Sequence, residues 1–385
     1  MSAADRPGEA VQRLVDLLHE ELGRGVGLDD PELAAIAYSP QPGVVDEVRR
    51  ESIVRRRTSP AVAAWLQERG IGASPGPLRL PPSPDLGMRA RVCLPVRGGE
   101  ELLGFLWLLD EPRRLTETEI ELAGGYAARI AAELQRERAL ERQEREGEST
   151  LVAALIEGEP PAHPPYELLA AEEIAVAVVR LPGGGAGSSL EAFRRVSAPH
   201  QALIGSDGGD GVAILPGRSE GAAAELLRSR LLPHLPPGAA RIGVAASAAG
   251  VAELPEAHRE ARLAADAAVA SPSLGTIVLW SSLGADRTLL KMIDAGGGEP
   301  IVPDALLRLR DSDSARTLLP TLETYLTAGD ATSTAAALSI HRSTLYLRLR
   351  RIEEITGMDL RQGDDQLDLR LGMRLLRLLP PEQRA

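Results

Sequence analysis

The sequence predicts a multidomain fold in which two α/β domains, joined by a long helix, precede an all-α domain. Three observations lead to this prediction. Short apolar runs alternate with helical patterns up to about residue 295, a polar helical stretch interrupts them at residues 116–148, and residues 305–385 are helical in periodicity throughout. The chain has 385 residues, 44% hydrophobic and 25% charged, a composition typical of globular domains with buried cores.

Residues 1–115 predict an α/β domain with an antiparallel sheet. A first helix is expected at residues 9–24, because Val11 and four leucines fall on one helical face. The stretch "RARVCLPVRGGEELLGFLWLLD" predicts two strands joined by a tight turn, since paired glycines permit positive backbone angles. The other expected elements are a strand at 31–39 and short helices at 44–54 and 60–70.

Residues 116–148 predict one long helix that links the first two domains. Thr116, followed three residues later by Glu119, forms the pattern of a capping box. The second half is rich in Glu and Arg, and few apolar residues remain, among them Ile130, Leu134 and Leu140. Helices this long and polar pair with a second chain or act as solvated linkers, and we favour a homodimer.

Residues 149–295 predict a second compact α/β domain. Strands alternate with helical patterns near 221–232 and 255–270, and a tight hairpin is expected at "SDGGDG". The glycine-rich segment "LPGGGAGSS" at 181–189 is expected to be a flexible loop, and its "GGG" at 183–185 lacks the lysine and serine of a phosphate-binding loop. The expected strands are 174–181, 201–206, 211–216, 240–247 and 276–280.

The all-α domain at 305–385 contains two short helices with the proportions of a helix-turn-helix, separated by Ser-Ile-His. Small residues at Ala335, Ala336 and Ala337 are expected to let the second helix approach closely. On a helical wheel the second helix buries one face and turns the opposite face outward. The buried face comprises Leu345, Leu349, Ile352 and Thr356.

The charge distribution distinguishes the carboxy-terminal segment that contains this helix from the rest of the chain. The formal net charge of the chain is −12, yet residues 331–385 hold nine Arg and seven acids, a balance of +2 that leaves −14 for the rest. Guanidinium and hydroxyl groups on a second helix can contact guanine bases and phosphates in the major groove of DNA. The alternative is a solvated face balanced by Glu353 and Glu354. The candidate DNA-binding residues are Arg342, Ser343, Thr344, Tyr346, Leu347, Arg350 and Arg351.

The stretch "TLETYLTAGDATSTAAALSIHRSTLYLRLRRIEEITGMDL" resembles the carboxy-terminal DNA-binding domain of the PucR and CdaR family of bacterial transcriptional regulators. Ser343 stands where the family usually has Asn, and Tyr346-Leu347 replaces the commoner Arg-Tyr. The resemblance implies a ligand-responsive regulator that binds double-stranded DNA. His341 lies between the turn and the helix, where it either caps the helix or contacts phosphate. We leave it outside the predicted site.

Residues 149–295 resemble the GGDEF-like middle domain of that family, and "DGGDGVAILP" looks like a decayed diguanylate cyclase signature. A cyclase needs several acids to hold metal ions against phosphates. Asp210 remains, but Gly211 follows it and the strand at 174–181 offers no acidic partner. We therefore expect no enzymatic activity, no cofactor and no metal site. The alternatives are a nucleotide-binding, cyclase-like signalling protein and a helix-turn-helix that binds another protein.

The first block is similar in architecture to GAF sensor domains, which implies a pocket for an unidentified small-molecule effector. Trp65, Phe105 and Trp107 are expected in the core instead of the pocket. Cys93 is the single cysteine, which excludes an intrachain disulfide, and its apolar surroundings predict burial. The amino terminus shows no long apolar run, so we expect no signal peptide, no membrane partner and a cytoplasmic protein.

Overall fold

The computed structural model describes residues 8–40, 48, 50, 55, 57–111, 113–159, 165–182, 190, 193–194, 202–295 and 302–379. These residues form two compact units, the first ending at Arg145 and the second beginning at Glu146. No helix in the described ranges is long and apolar enough to cross a lipid bilayer. The helix predicted at 44–54 and the loop predicted at 181–189 lie largely outside the described residues.

The first unit is built on a five-stranded antiparallel sheet in the order β2-β1-β5-β4-β3. The hairpin predicted from the paired glycines is confirmed as β4 and β5, which pair from Arg91 opposite Leu109 to Gly98 opposite Glu101. The strands β1 and β3 were not predicted. The elements are α1 (Glu9–Leu22), β1 (Val26–Asp29), β2 (Ala35–Tyr38), α2 (Pro60–Glu68), β3 (Leu78–Leu80), β4 (Arg91–Gly98) and β5 (Glu101–Leu109).

Helices cover both faces of this sheet. One face, with Leu106 and Leu108 of β5, packs against α1 and the following long helix. The opposite face, with Phe105 and Trp107, packs against α2, as the alternation of side chains along a strand requires. Phe105 is in the core, as predicted. Trp107 is also buried, but contrary to the prediction it lines a cavity described below, and Trp65 is only partly buried at the edge of the core.

The long helix α3 (Glu117–Glu157) has 41 residues and continues nine residues beyond the predicted end at 148. Its capping box is formed as predicted, since the Glu119 carboxylate accepts from the Thr116 N–H at 2.8 Å and the Thr116 Oγ1 accepts from the Glu119 N–H at 3.2 Å. Ile130 and Leu134 are buried in the first unit, whereas Leu140 is exposed. The extra turns belong to the second unit, where Val152 and Leu155 are in the core.

The second unit contains a five-stranded sheet in the order β10-β9-β6-β8-β7, in which only β10 and β9 are parallel. All five predicted strands are present, with β7 and β8 joined by the predicted hairpin. The elements are α4 (Tyr166–Ala170), β6 (Ile174–Arg180), β7 (Leu203–Asp207), β8 (Asp210–Pro216), α5 (Glu220–Arg230), β9 (Arg241–Ser247), α6 (Leu254–Ala270), β10 (Ile277–Leu279) and α7 (Asp286–Ala295).

Side chains of the central strand β6 alternate between two cores. Val176 and Val178 face the alanine-rich helix α6, and Ala175 and Ala177 face α5. The approach of α6 to β9 is so close that a methyl group on Gly243 would overlap backbone atoms of α6. A glycine at this position therefore allows the helix to pack directly on the sheet.

The helical domain follows in the same unit and shares the α6-side core of the sheet. Helix α12 contacts α6 and α7 of the sheet domain as well as α8 and α9. Its Gly372 lies against α8, where a methyl group would come within 2.9 Å of Pro303 Cδ. The elements are α8 (Asp304–Arg310), α9 (Ala315–Ala328), α10 (Ala331–Ala337), α11 (Arg342–Thr356) and α12 (Gly363–Leu378).

Candidate nucleic-acid interface

The helix-turn-helix consists of α10, a four-residue turn and α11. Asp330 caps α10, because its Oδ1 accepts from the N–H groups of Thr332 at 2.8 Å and Ser333 at 2.9 Å. Hydrogen bonds from Ser333 lower the pKa of the Asp330 carboxyl. The turn includes Leu338 in addition to the predicted Ser-Ile-His, and Ser339 takes a left-handed φ of 54°. The amino end of α11 is thereby fixed relative to α10.

His341 is the capping residue of α11. Its Nδ1 accepts from the Ser343 N–H at 3.3 Å and lies 2.8 Å from the Ser343 hydroxyl. This contact agrees with the structural alternative considered for His341 and with its exclusion from the predicted site. It also orients the hydroxyl of Ser343 at the start of the helix.

The buried face of α11 is the one that the helical wheel predicted. Leu345, Leu349, Ile352 and Thr356 are all buried, and α11 packs against α8, α9 and α10. Of the three alanines expected at the helix crossing, only Ala335 is buried, beside Thr334. Ala336 and Ala337 are exposed, so the expected close approach does not involve them.

The opposite face of α11 is open to solvent. Arg350 has a side chain 78% exposed, and Leu347 is 71% exposed, the highest value among the large apolar residues of the described chain. Arg348 is different, since it is partly buried and donates to Thr321 Oγ1 of α9 at 3.3 Å. All the predicted contact residues are exposed: Arg342, Ser343, Thr344, Tyr346, Leu347, Arg350 and Arg351.

The arginines of this face are held by neighbours on the same helix. The Arg342 guanidinium lies 3.4 Å from the Tyr346 hydroxyl, one turn further along. Glu354 binds both Arg350, at 3.3 Å, and Arg351, at 3.1 Å. Sequence reasoning treated Glu354 only as a balancing charge, although the i,i+3 and i,i+4 spacings indicate this shared contact. Each guanidinium keeps further N–H donors that face solvent.

A separate acidic residue, Asp210, was considered as the remnant of a catalytic site. Its carboxylate binds Arg180 at the end of β6, with 3.0 Å to Nε and 2.6 Å to Nη2. Arg180 also binds Asp266 of α6, and its hydrogen bonds to Asp210 raise its pKa. Sequence reasoning missed this cation, although strand pairing places position 180 beside the hairpin end. Within the described ranges, no cluster of three or more acidic, His or Cys residues could hold a metal ion.

The first unit contains a cavity of about 60 Å³ between its sheet and α2. Its wall includes Trp107, whose indole N–H has no hydrogen-bond partner among the described residues, and the apolar Val62 and Leu66. Asp29 and Arg91 also contribute to the wall. Cys93 is buried as predicted, and burial raises the pKa of its thiol. The cavity is large enough for a few water molecules or a small ligand group.

Family models match all three domains. The GAF domain matches residues 7–134, the GGDEF-like domain residues 169–267, and the PucR C-terminal helix-turn-helix domain residues 318–375. The last match covers α10 and α11, which carry the exposed face described above. The resemblances inferred from the sequence are therefore confirmed for each domain.

Three transcriptional regulators are similar to all or part of this chain. The proline-responsive transcriptional activator PutR of Bacillus subtilis (strain 168) is 23% identical over 406 residues, covering 95% of this chain and 96% of the relative. The transcriptional activator PmfR of Paenarthrobacter nicotinovorans is 41% identical over 28% of this chain and 23% of its own. The carbohydrate diacid regulator of Escherichia coli (strain K12) is 41% identical over 18% of each chain.

A solved structure, the regulator of polyketide synthase expression from Bifidobacterium adolescentis, is 20% identical, with a TM-score of 0.27 over 59% of this chain and 91% of that one. The family matches and the relatives, taken with the exposed basic face of α11, lead to one identification. The chain is a DNA-binding transcriptional regulator of the PucR/CdaR type, with a GAF domain, a GGDEF-like domain and a PucR helix-turn-helix domain.

Proposed function

We propose that this regulator reads double-stranded DNA with the outward face of α11 placed in the major groove. The observation that carries the proposal is the division of α11 into a fully packed face and a fully exposed one. The exposed face has hydroxyls and guanidinium groups near the amino end of the helix, the end that contacts base edges in helix-turn-helix proteins. The proposed contact residues are Arg342, Ser343, Thr344, Tyr346, Leu347, Arg350 and Arg351.

The roles of these residues follow from their chemistry and position. The Arg350 side chain is 78% exposed, compared with 60% for Arg351, and Arg350 is assigned to a guanine, which offers two acceptors to a bidentate donor. Arg351 lies at the side of the face and is assigned to phosphate. Ser343 and Thr344, in the first turn, supply hydroxyls for phosphates or base edges. Glu354 competes with DNA for Arg350 and Arg351.

Fluorescence anisotropy with labelled duplex DNA at several salt concentrations tests this proposal. Affinity should fall steeply with salt, because each phosphate contact releases a counterion. Arg350→Ala should weaken specific binding by about 1–3 kcal/mol per half-site. Arg230→Ala removes an exposed arginine from α5 and is the matched control. Equal losses in both variants, or binding that is independent of salt, would favour a protein partner for the helix-turn-helix.

We also infer a homodimer that forms along α3, since the middle of this helix exposes Leu140 among charged residues. Two copies would present two copies of α11 to paired half-sites. Sedimentation of the full chain and of Leu140→Glu tests this: the wild type should be dimeric and the variant weaker. A monomeric wild type at micromolar concentration would contradict it.

The proposed division of labour assigns residues 1–115 to sensing, 116–148 to the connecting helix, 149–295 to the middle domain and 305–385 to DNA binding. An unidentified small-molecule effector would occupy the cavity beside Trp107 and alter how the DNA-binding domains are presented. A thermal-shift screen of small metabolites tests this, with Val62→Phe as a variant that fills the cavity. A stabilising compound should lose its effect in this variant, and an effect that persists would place its site elsewhere.

We propose that the protein has no catalytic activity, because the carboxylate of Asp210 is already engaged by Arg180. A guanidinium at this place disfavours a metal ion. Incubation with GTP and Mg²⁺ should give no turnover, and formation of a cyclic product would contradict the proposal. A protein that works on bacterial DNA acts in the cytoplasm, which is where we place it.

A further inference from the structure

We propose that Leu347 is a specificity residue that contacts the C5-methyl group of a thymine in the operator. This inference rests on the proposed binding of DNA by the outward face of α11 and goes beyond it by naming a base. It starts from the high exposure of the Leu347 side chain, which the packing of the helical domain does not explain. Leu347 is 71% exposed, although leucine is among the residues that folding buries most readily.

The surroundings of Leu347 are polar. One turn before it on the helix lie Ser343 and Thr344, and one turn after it lies Arg350, all of them exposed. The neighbouring Tyr346 directs its hydroxyl toward the Arg342 guanidinium, at 3.4 Å. Leu347 is thus a single apolar group among hydrogen-bonding side chains. An apolar protein partner would require a wider patch than one leucine.

The matching surface is an isolated methyl group bordered by hydrogen-bond acceptors and negative charge. Thymine presents this in the major groove, where its C5-methyl lies beside the O4 acceptor. Cytosine at the same place presents an amino donor, which Leu347 would bury without an acceptor. Burial of one methyl group against leucine corresponds to about a four-fold gain in affinity per half-site.

The test compares thymine with deoxyuridine, which differ only in this methyl group. A random-sequence duplex pool is first selected with the full-length protein at low salt. Single thymines in the enriched duplex are then replaced by deoxyuridine, and affinities are measured for the wild type, for Leu347→Ala and for Leu367→Ala. Leu367, on α12, is also exposed and serves as the matched control.

The proposal expects an approximately four-fold loss at one thymine per half-site in the wild type and in Leu367→Ala. In Leu347→Ala the two duplexes should bind equally. A loss that persists in Leu347→Ala would overturn the proposal, as would equal binding of thymine and deoxyuridine at every position. In these two cases DNA binding by the protein would stand. Failure to enrich any duplex would instead overturn the proposed function and this inference with it.

Discussion

The two leucines on opposite faces of α11 allow a direct test of its packing. Leu345 is 0% exposed and lies in the core that α11 forms with α9 and α10. Leu345→Ala removes a buried isobutyl group and leaves a cavity, so it should destabilise the helical domain by about 3 kcal/mol. Leu347 is two residues away on the exposed face, and Leu347→Ala should change stability by less than about 0.5 kcal/mol.

Hydrogen–deuterium exchange of peptides from residues 342–356 measures this difference locally in the full-length protein. A loss of about 3 kcal/mol corresponds to roughly 100-fold faster exchange through global opening of the domain, because each 1.4 kcal/mol is a factor of ten. The Leu347→Ala peptides should exchange as in the wild type. Comparable acceleration in both variants, or none in Leu345→Ala, would refute the assignment of the two faces.

Three further predictions concern charge, packing and pH. Glu354→Gln should raise affinity for random duplex DNA at low salt, because it removes the carboxylate that binds two arginines; anisotropy would show an unchanged affinity if this is wrong. Gly372→Ala should destabilise the protein by about 1–3 kcal/mol in thermal denaturation, whereas Gly363→Ala, with open space around it, should not. Hydrogen bonds from Arg113 and from the Thr116 N–H lower the pKa of Glu119 to about 2. Its contribution to stability is therefore present above the ordinary value of 4.5 and lost as pH falls toward 2, and Glu119→Gln should reduce this acid sensitivity.

Local pattern was sufficient for most of the elements. The apolar runs of the second sheet, the glycine turn between β4 and β5, and the capping box of α3 each depend on residues close in sequence. Strand β1 was missed because "GVGLD" has two glycines and few apolar residues, a weak signal for a strand. It forms because it pairs with β5, where Val26 lies opposite Leu108, a contact across about eighty residues that local pattern does not contain.

In the candidate site, too, some features were predictable from local pattern and others were not. The direction in which each side chain of α11 points follows from helical geometry, and the predicted faces were confirmed for the buried leucines. The partners of the polar groups were not predictable, because they depend on rotamers and on distant elements. The contact of Arg348 with Thr321 of α9 and the pairing of Asp210 with Arg180 are examples. Predicting both would require knowing which strands and helices are neighbours.

One continuous apolar core in the second unit includes residues from Val152 to Leu379. It therefore contains residues from both sides of the domain boundary predicted near residue 300. Arg374 and Asp286 form an ion pair on the rim of the same contact, at 3.1 Å. Separating the two domains at that boundary would therefore expose apolar core residues on both fragments. A chimaeric regulator with a different DNA-binding domain would therefore need to keep the residues on both sides of this contact from the same parent protein.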